Sequence, residues 1–171
     1  MQEVIILFVC FFGLRLISLA ISLKNEKRIQ ALGGVQYGKL NSLLLTLAHI
    51  SFYFLCLYEA IKNDNLLLDN TSKLGVALLV FAYAMLFYVI YQLREVWTLK
   101  IYILPEHKVN TSFLFKWIKH PNYFLNILPE LVGMALLCKA YYTFCFLFPI
   151  YMIILSVRIY QEEVAMKHLY K

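Results

Sequence analysis

The sequence predicts an all-α, polytopic integral membrane protein, and three observations carry that prediction. Hydrophobic residues make up 62% of the 171 and charged residues 15%, against roughly 45–50% and 25% in soluble domains. Mean hydropathy is +0.70, and 13 Phe and 13 Tyr add more apolar bulk than one small core could enclose. The apolar residues fall in runs of bilayer length, and the basic residues cluster in alternate segments between those runs. Disordered chain, collagen and coiled coil are excluded by the same figures.

The runs give the elements in order. Val4–Leu23 has 16 apolar residues in 20, Leu43–Ile61 has 15 in 19 and Leu74–Leu93 has 18 in 20. A spanning helix needs about 20 mainly apolar residues, with a lower end of ~17. Phe124–Cys138 follows with 11 in 15, interrupted by Asn126, Pro129 and Glu130, and Ala140–Val157 has 15 in 18. Lys139 alone separates these two, so they read as a tight helical hairpin. Five membrane-embedded helices are expected, the fourth being the shortest. The segment ahead of the first run has Glu3 and no Lys or Arg, and the run is too long for a signal-peptide core, so it reads as a retained span. Lys24–Asn41, with Gly33, Gly34 and Gly38, reads as a polar connector, and Asn63–Ser72 as a short outer loop.

With the N-terminus outside, the inner segments carry 12 Lys and Arg and the outer loops three, Lys62, Lys73 and Lys139, while Arg15 lies within the first span. That is a strong positive-inside bias. The net charge of +6 is therefore a topology signal, and no nucleic-acid partner is implied. Cys10, Cys56, Cys138 and Cys145 lie at membrane depth without a CxxC pair and read as packing residues, with no metal site expected.

The candidate chemistry lies after the third span. His107 to Tyr123 is amphiphilic, aromatic-rich and basic. Pro121 suits a first helical turn, where its missing N–H costs nothing, so His120 stands at a helix mouth. Asn122, Asn126 and Glu130 recur at i, i+4 and i+8 as one polar stripe. A carboxylate such as Glu130 inside a span is expensive unless it faces a cavity or a partner. Arg158, Glu162 and Glu163 follow the last span, with Lys167 four residues after Glu163. Taken alone, these fit i,i+4 ion pairs on a solvated helix, each worth about 0.2–0.5 kcal/mol.

Taken together, these residues carry a resemblance. His120-Pro121-Asn122-Tyr123 followed by Arg158-Ile-Tyr-Gln-Glu162-Glu163 is similar to the C-terminal signature of the isoprenylcysteine carboxyl methyltransferase family. That signature is Arg-His-Pro-x-Tyr, a helical hairpin, then Arg-x-x-x-Glu-Glu. The family's upstream block aligns without gaps to His107–Tyr123, and Arg94 and Trp97 also resemble family positions. The family's Gly and Tyr are Phe113 and Phe115 here, and its Arg is Lys119. A positive charge is therefore kept at Lys119, while Phe115 has no hydroxyl to offer a ligand. The connectors Asn25…Gly38 and Trp97…Pro105 look more like a bacterial branch associated with alkylpyrone O-methylation.

The resemblance implies an S-adenosylmethionine-dependent O-methyltransferase acting on a lipophilic acceptor, such as an alkylpyrone or a prenylcysteine, that enters from the bilayer lipids. It divides the single membrane domain 1–171 into three N-terminal spans (1–93) and a methyltransferase-like cofactor-binding region (94–171). Cofactor contacts map onto His107, Lys108, Val109, Asn110, His120, Pro121, Asn122, Tyr123, Glu162 and Glu163. Arg158 and Glu162 map onto catalytic positions, and Arg158 also faces the acceptor. Glu130 and Asn126 are expected on the acceptor side or, for Glu130, bonded to a neighbouring helix. The expected location is a bacterial plasma membrane with the site facing the cytoplasm. The competing classes are an NADPH-dependent membrane reductase of the sterol and steroid reductase type, which shares a His-Pro-x-Tyr-like region, and a non-enzymatic membrane protein.

Overall fold

The computed structural model describes residues 2–104, 117–118 and 120–166. Helix α1 covers Glu3–Ala31 and α2 covers Lys39–Lys62, with strand β1 (Val35–Tyr37) between them. Helix α3 (Asn70–Leu93) runs into a 3₁₀ turn at Arg94–Val96 and strand β2 (Ile101–Ile103). Helix α4, Asn122–Cys138, is short, and α5 is Tyr141–Met166. Four of these helices are long and apolar enough to cross a membrane, and α4 is the shorter apolar one beside them. The all-α membrane architecture and the C-terminal hairpin follow the apolar runs.

Local chemistry sets the ends. The Asp69 side chain accepts the Ser72 N–H at 2.8 Å and caps α3, and this contact lowers the Asp69 pKa. Lys139 takes the left-handed conformation, φ 51°, which reverses the chain within the α4–α5 hairpin. Its ammonium lies 3.2 Å from Asp69. At the same end, Val4 N–H bonds the Leu66 carbonyl and Leu68 N–H bonds the Glu3 carboxylate. The strands lie at the opposite end, paired antiparallel with Val35 opposite Ile103. Gly38, φ 59°, turns the chain from β1 into α2 in the left-handed region that favours glycine, beneath the end of the Gln161 side chain of α5.

The closest helix approach is α3 against α4. A Cβ on Gly75 would stand 2.4 Å from the Leu137 nitrogen and 2.7 Å from the Gly133 carbonyl oxygen. Small residues at such a crossing let backbones meet in the absence of a hydrophobic driving force between helices. The fully buried core, including Phe52, Leu79, Leu86, Leu131, Met134 and Leu155, lines the bundle axis.

Two features differ from the sequence reading. The expected connector Lys24–Asn41 is helical as far as Ala31. Asn25, Glu26 and Ile29 continue a protein-facing stripe from Ser22, all four buried, while Lys24, Lys27 and Arg28 face outward. Asn25 Nδ2 donates to the Arg94 carbonyl at 2.9 Å and the Trp97 carbonyl at 2.8 Å. Glu26 accepts from Ser22 and pairs with Lys100 at 2.6 Å. The α3–α4 connector is thereby held against α1, and the short β1–β2 ladder, absent from the sequence reading, extends the same contact.

Candidate functional site

Helices α4 and α5 bring five expected residues together at the strand end of the bundle. Tyr123 donates its hydroxyl to Glu162 Oε2 at 2.5 Å. Arg158 Nε donates to the Tyr123 hydroxyl at 3.3 Å. His120 places Nδ1 3.3 Å from Glu162 Oε1 and Nε2 3.5 Å from Glu163 Oε1, and its ring stacks on Tyr123 with centroids 5.7 Å apart. The contact with Glu162 is the main reason the His120 imidazole titrates above the ordinary histidine value, partial burial acting in the opposite sense.

Local structure explains the convergence. Pro121 has φ −62° and precedes the first turn of α4, as its fixed backbone favours. That turn, Asn122–Ile127, is a π-helix, with the Leu128 N–H bonded to the Tyr123 carbonyl five residues back. Pro129 supplies the cause: it has no N–H for the Leu125 carbonyl and its ring crowds that oxygen, so the helix opens there. On α5, Arg158 and Glu162 are one turn apart, and the Tyr123 hydroxyl sits between them. They are linked through Tyr123 rather than paired directly.

Arg158 is anchored by residues the sequence reading did not include. Nη1 donates to Ser42 Oγ and Nη2 to the Leu99 carbonyl, both at 2.7 Å, and the residue is 2% exposed. Three of its five N–H groups are thus engaged among the described residues. The side chains of Glu162 and Glu163 are 31% and 40% exposed, so the carboxylates face outward from an enclosed guanidinium. Trp97, one of the family-like positions, is buried beneath the same connector.

The remaining expected residues lie elsewhere. His107, Lys108, Val109 and Asn110 fall outside the described residues, as do Lys119 and Lys167. Asn122 accepts from Asn126 Nδ2 at 3.3 Å, which joins the first two members of the polar stripe. Asn126 Oδ1 is buried and has no hydrogen bond among the described residues. Glu130 is 0% exposed and sits deeper, bonded not to Asn126 but to other helices. Its Oε1 accepts from Tyr53 at 2.5 Å and Tyr83 at 3.1 Å. His49 Nε2 lies 3.4 Å from the same oxygen and Arg15 Nη1 3.3 Å from Oε2. Arg15, His49, Tyr53 and Tyr83 were not singled out as its partners from the sequence. The rule that ionisable groups inside a membrane seek one another would have joined Arg15 to Glu130.

Comparison with known proteins decides the family. Residues 75–168 match the isoprenylcysteine carboxyl methyltransferase (ICMT) family, a segment that includes the whole His120–Tyr123–Arg158–Glu162 network. The chain belongs to the ICMT family. Family membership implies a membrane methyltransferase that uses S-adenosylmethionine. An uncharacterized protein of Haemophilus influenzae is 58% identical over 165 residues, covering 96% of this chain and 95% of its own. The uncharacterized protein YpbQ of Bacillus subtilis is 28% identical over 155 residues, 90% of each chain. No solved structure matches.

The described side of the site has the chemistry that this ICMT-family cofactor requires. S-adenosylmethionine carries a sulfonium, an ammonium and a carboxylate. Glu162 and Glu163 offer partly exposed anionic oxygens to the cations, and His120, held toward its protonated form, orients both carboxylates. Among the described residues, the buried His120 Nδ1 has no well-aligned hydrogen bond.

Proposed function

We propose that this ICMT-family protein methylates an anionic oxygen on a lipophilic acceptor at the strand end of α4 and α5, and that this end faces the cytoplasm. The observation that carries the proposal is the continuous network from His120 through Glu162 and Tyr123 to Arg158, which lies within the family-matched segment. Acceptors of the required kind are the enol of an alkylpyrone and the carboxylate of a prenylcysteine. Each pairs one oxyanion with a long apolar tail. A shallow groove of about 190 Å³ lined by Tyr37, Tyr160, Val164 and Ala165 among others opens beside the same end of α5 and suits such a tail. The excess of basic residues on the segments at this end supports the cytoplasmic orientation.

When bound, S-adenosylmethionine supplies an electrophilic methyl on a sulfonium. Glu162, Glu163 and His120 would hold it, together with His107, Lys108, Val109 and Asn110 by family likeness. Arg158 would meet the acceptor oxygen with guanidinium N–H groups not engaged among the described residues, and a guanidinium remains charged at any working pH. Transfer from a sulfonium to an oxyanion merges opposite charges, so a site that excludes water favours it. The residues' task is mainly alignment.

Binding of S-adenosylmethionine to the purified protein in detergent, measured by calorimetry, tests the proposal. The parent is expected to bind, and His120→Ala and Glu162→Ala to bind about tenfold more weakly, the scale of losing a charge-assisted hydrogen bond. Equal binding by both variants would place the cofactor elsewhere.

A further inference from the structure

Glu130 is the deepest charged group in the bundle, and the transfer chemistry does not use it. It collects Arg15 from α1, His49 and Tyr53 from α2 and Tyr83 from α3, while α5 joins through Tyr151, whose hydroxyl lies 3.2 Å from His49 Nδ1. Groups from α1, α2 and α3 therefore meet at this one carboxylate of α4, and α5 reaches it only through His49. It stands seven residues beyond Tyr123, roughly 10 Å along the helix axis, too far to touch a group held at His120. Between the two lies the π turn Asn122–Ile127.

A π turn holds one residue more than an α turn and is seldom adopted. Relaxing it to an α turn would rotate everything on one side by about 100° and shift it by about 1.5 Å. Such a rotation would carry His120 and Tyr123 off Glu162, Glu163 and Arg158. Pro129 opens the turn but does not fix where its two ends point. The upper end is pinned by Tyr123 to Glu162 and Arg158. The lower end is pinned by Glu130, one residue past Pro129, and by the Gly133–Gly75 approach. Stability alone is a weak reason for a buried ion pair, because apolar residues of similar volume often serve as well, whereas fixing one register is its best-attested use.

We infer that Glu130 is a positioning residue for the transfer site: its bonds to Arg15, His49, Tyr53 and Tyr83 fix the rotational phase of α4, so that the π turn delivers His120 and Tyr123 to Glu162, Glu163 and Arg158. The inference builds on the methyltransferase reading of that site. The test uses the full-length protein in detergent with Glu130→Gln, which retains an acceptor for Tyr53 and Tyr83 but loses the charge facing Arg15. Two readouts are taken: S-adenosylmethionine affinity, and the titration of the His120 ring by NMR without ligand, assigned with His120→Gln. His120 is faced by Glu162 and Glu163 from α5, with Arg158 and Tyr123 adjoining.

If Glu130 sets the phase, affinity falls about tenfold, the scale of coupling between separated sites. The His120 titration then moves down toward the ordinary value near 6.5. A variant that unfolds at lower temperature but keeps parental affinity and parental His120 titration overturns the inference. Should Glu130→Gln not fold, Tyr53→Phe is read in the same way, with both readouts expected to move in the same directions. If the parent itself binds no S-adenosylmethionine, the transfer-site reading fails, and the His120 titration alone still decides whether Glu130 positions α4.

Discussion

Arg158 shows what one side chain contributes at this site. It reaches three helices or connectors at once, through Tyr123 on α4, Ser42 on α2 and the Leu99 carbonyl. Lysine keeps the charge but has a single nitrogen and no planar fork. Arg158→Lys is therefore expected to lower stability by about 1–3 kcal/mol by leaving buried acceptors unsatisfied, and to reduce methyl transfer more than cofactor affinity. Parental transfer to lipid-soluble product by the lysine variant would remove Arg158 from the acceptor side. His120 gives the pH dependence. Its folded pKa is raised above the ordinary 6.5, so the protonated ring contributes stability in full below about 6.5 and loses it as pH rises through the raised value. The melting temperature should fall across that window in the parent, and this component should vanish in His120→Gln. An identical slope in the variant would contradict the pairing with Glu162 and Glu163.

At the scale of elements, the tightest fit is the glycine crossing of α3 and α4. Gly75→Ala places a methyl against the Leu137 and Gly133 backbone and should destabilise by about 1–3 kcal/mol, the usual cost of overpacking. Gly13→Ala, whose added carbon meets nothing within 4 Å, should stay within about 0.5 kcal/mol. Detergent melting curves of the two compare directly, and equal midpoints would refute the close crossing. The helices themselves were legible because each apolar run is long, and the α4–α5 hairpin because a single polar residue divides two runs. The end of α1 was not, since Asn25 and Glu26 look like connector residues until Arg94, Trp97 and Lys100 appear beside them from a distant part of the chain. The strands Val35–Tyr37 and Ile101–Ile103 have three residues each, too few for an alternating pattern. The π turn was hidden for a similar reason: Pro129 was visible as an interruption, but which way it opens the helix depends on its neighbours.

In the whole molecule, the two polar centres divide the work between ends and middle. The network at the strand end is made of the signature residues themselves, so the His-Pro-Asn-Tyr and Arg…Glu-Glu patterns pointed to it. The Glu130 centre draws its partners from α1, α2 and α3, and no local pattern in the sequence records that. Ser42 and Leu99, which hold Arg158, were equally out of view, because an unremarkable serine and a backbone carbonyl carry no signal before the helices are assembled. These parts join into one claim: a membrane methyltransferase whose donor side opens to the cytoplasm and whose acceptor is drawn from the lipid. Incubating membrane vesicles from cells that express the protein with methyl-tritiated S-adenosylmethionine, then counting the organic-extractable fraction, tests that claim most directly. Label should enter the lipid phase from inverted vesicles and not from right-side-out ones, and Glu162→Ala should abolish it. Label absent from both orientations, or undiminished in Glu162→Ala, would contradict the claim.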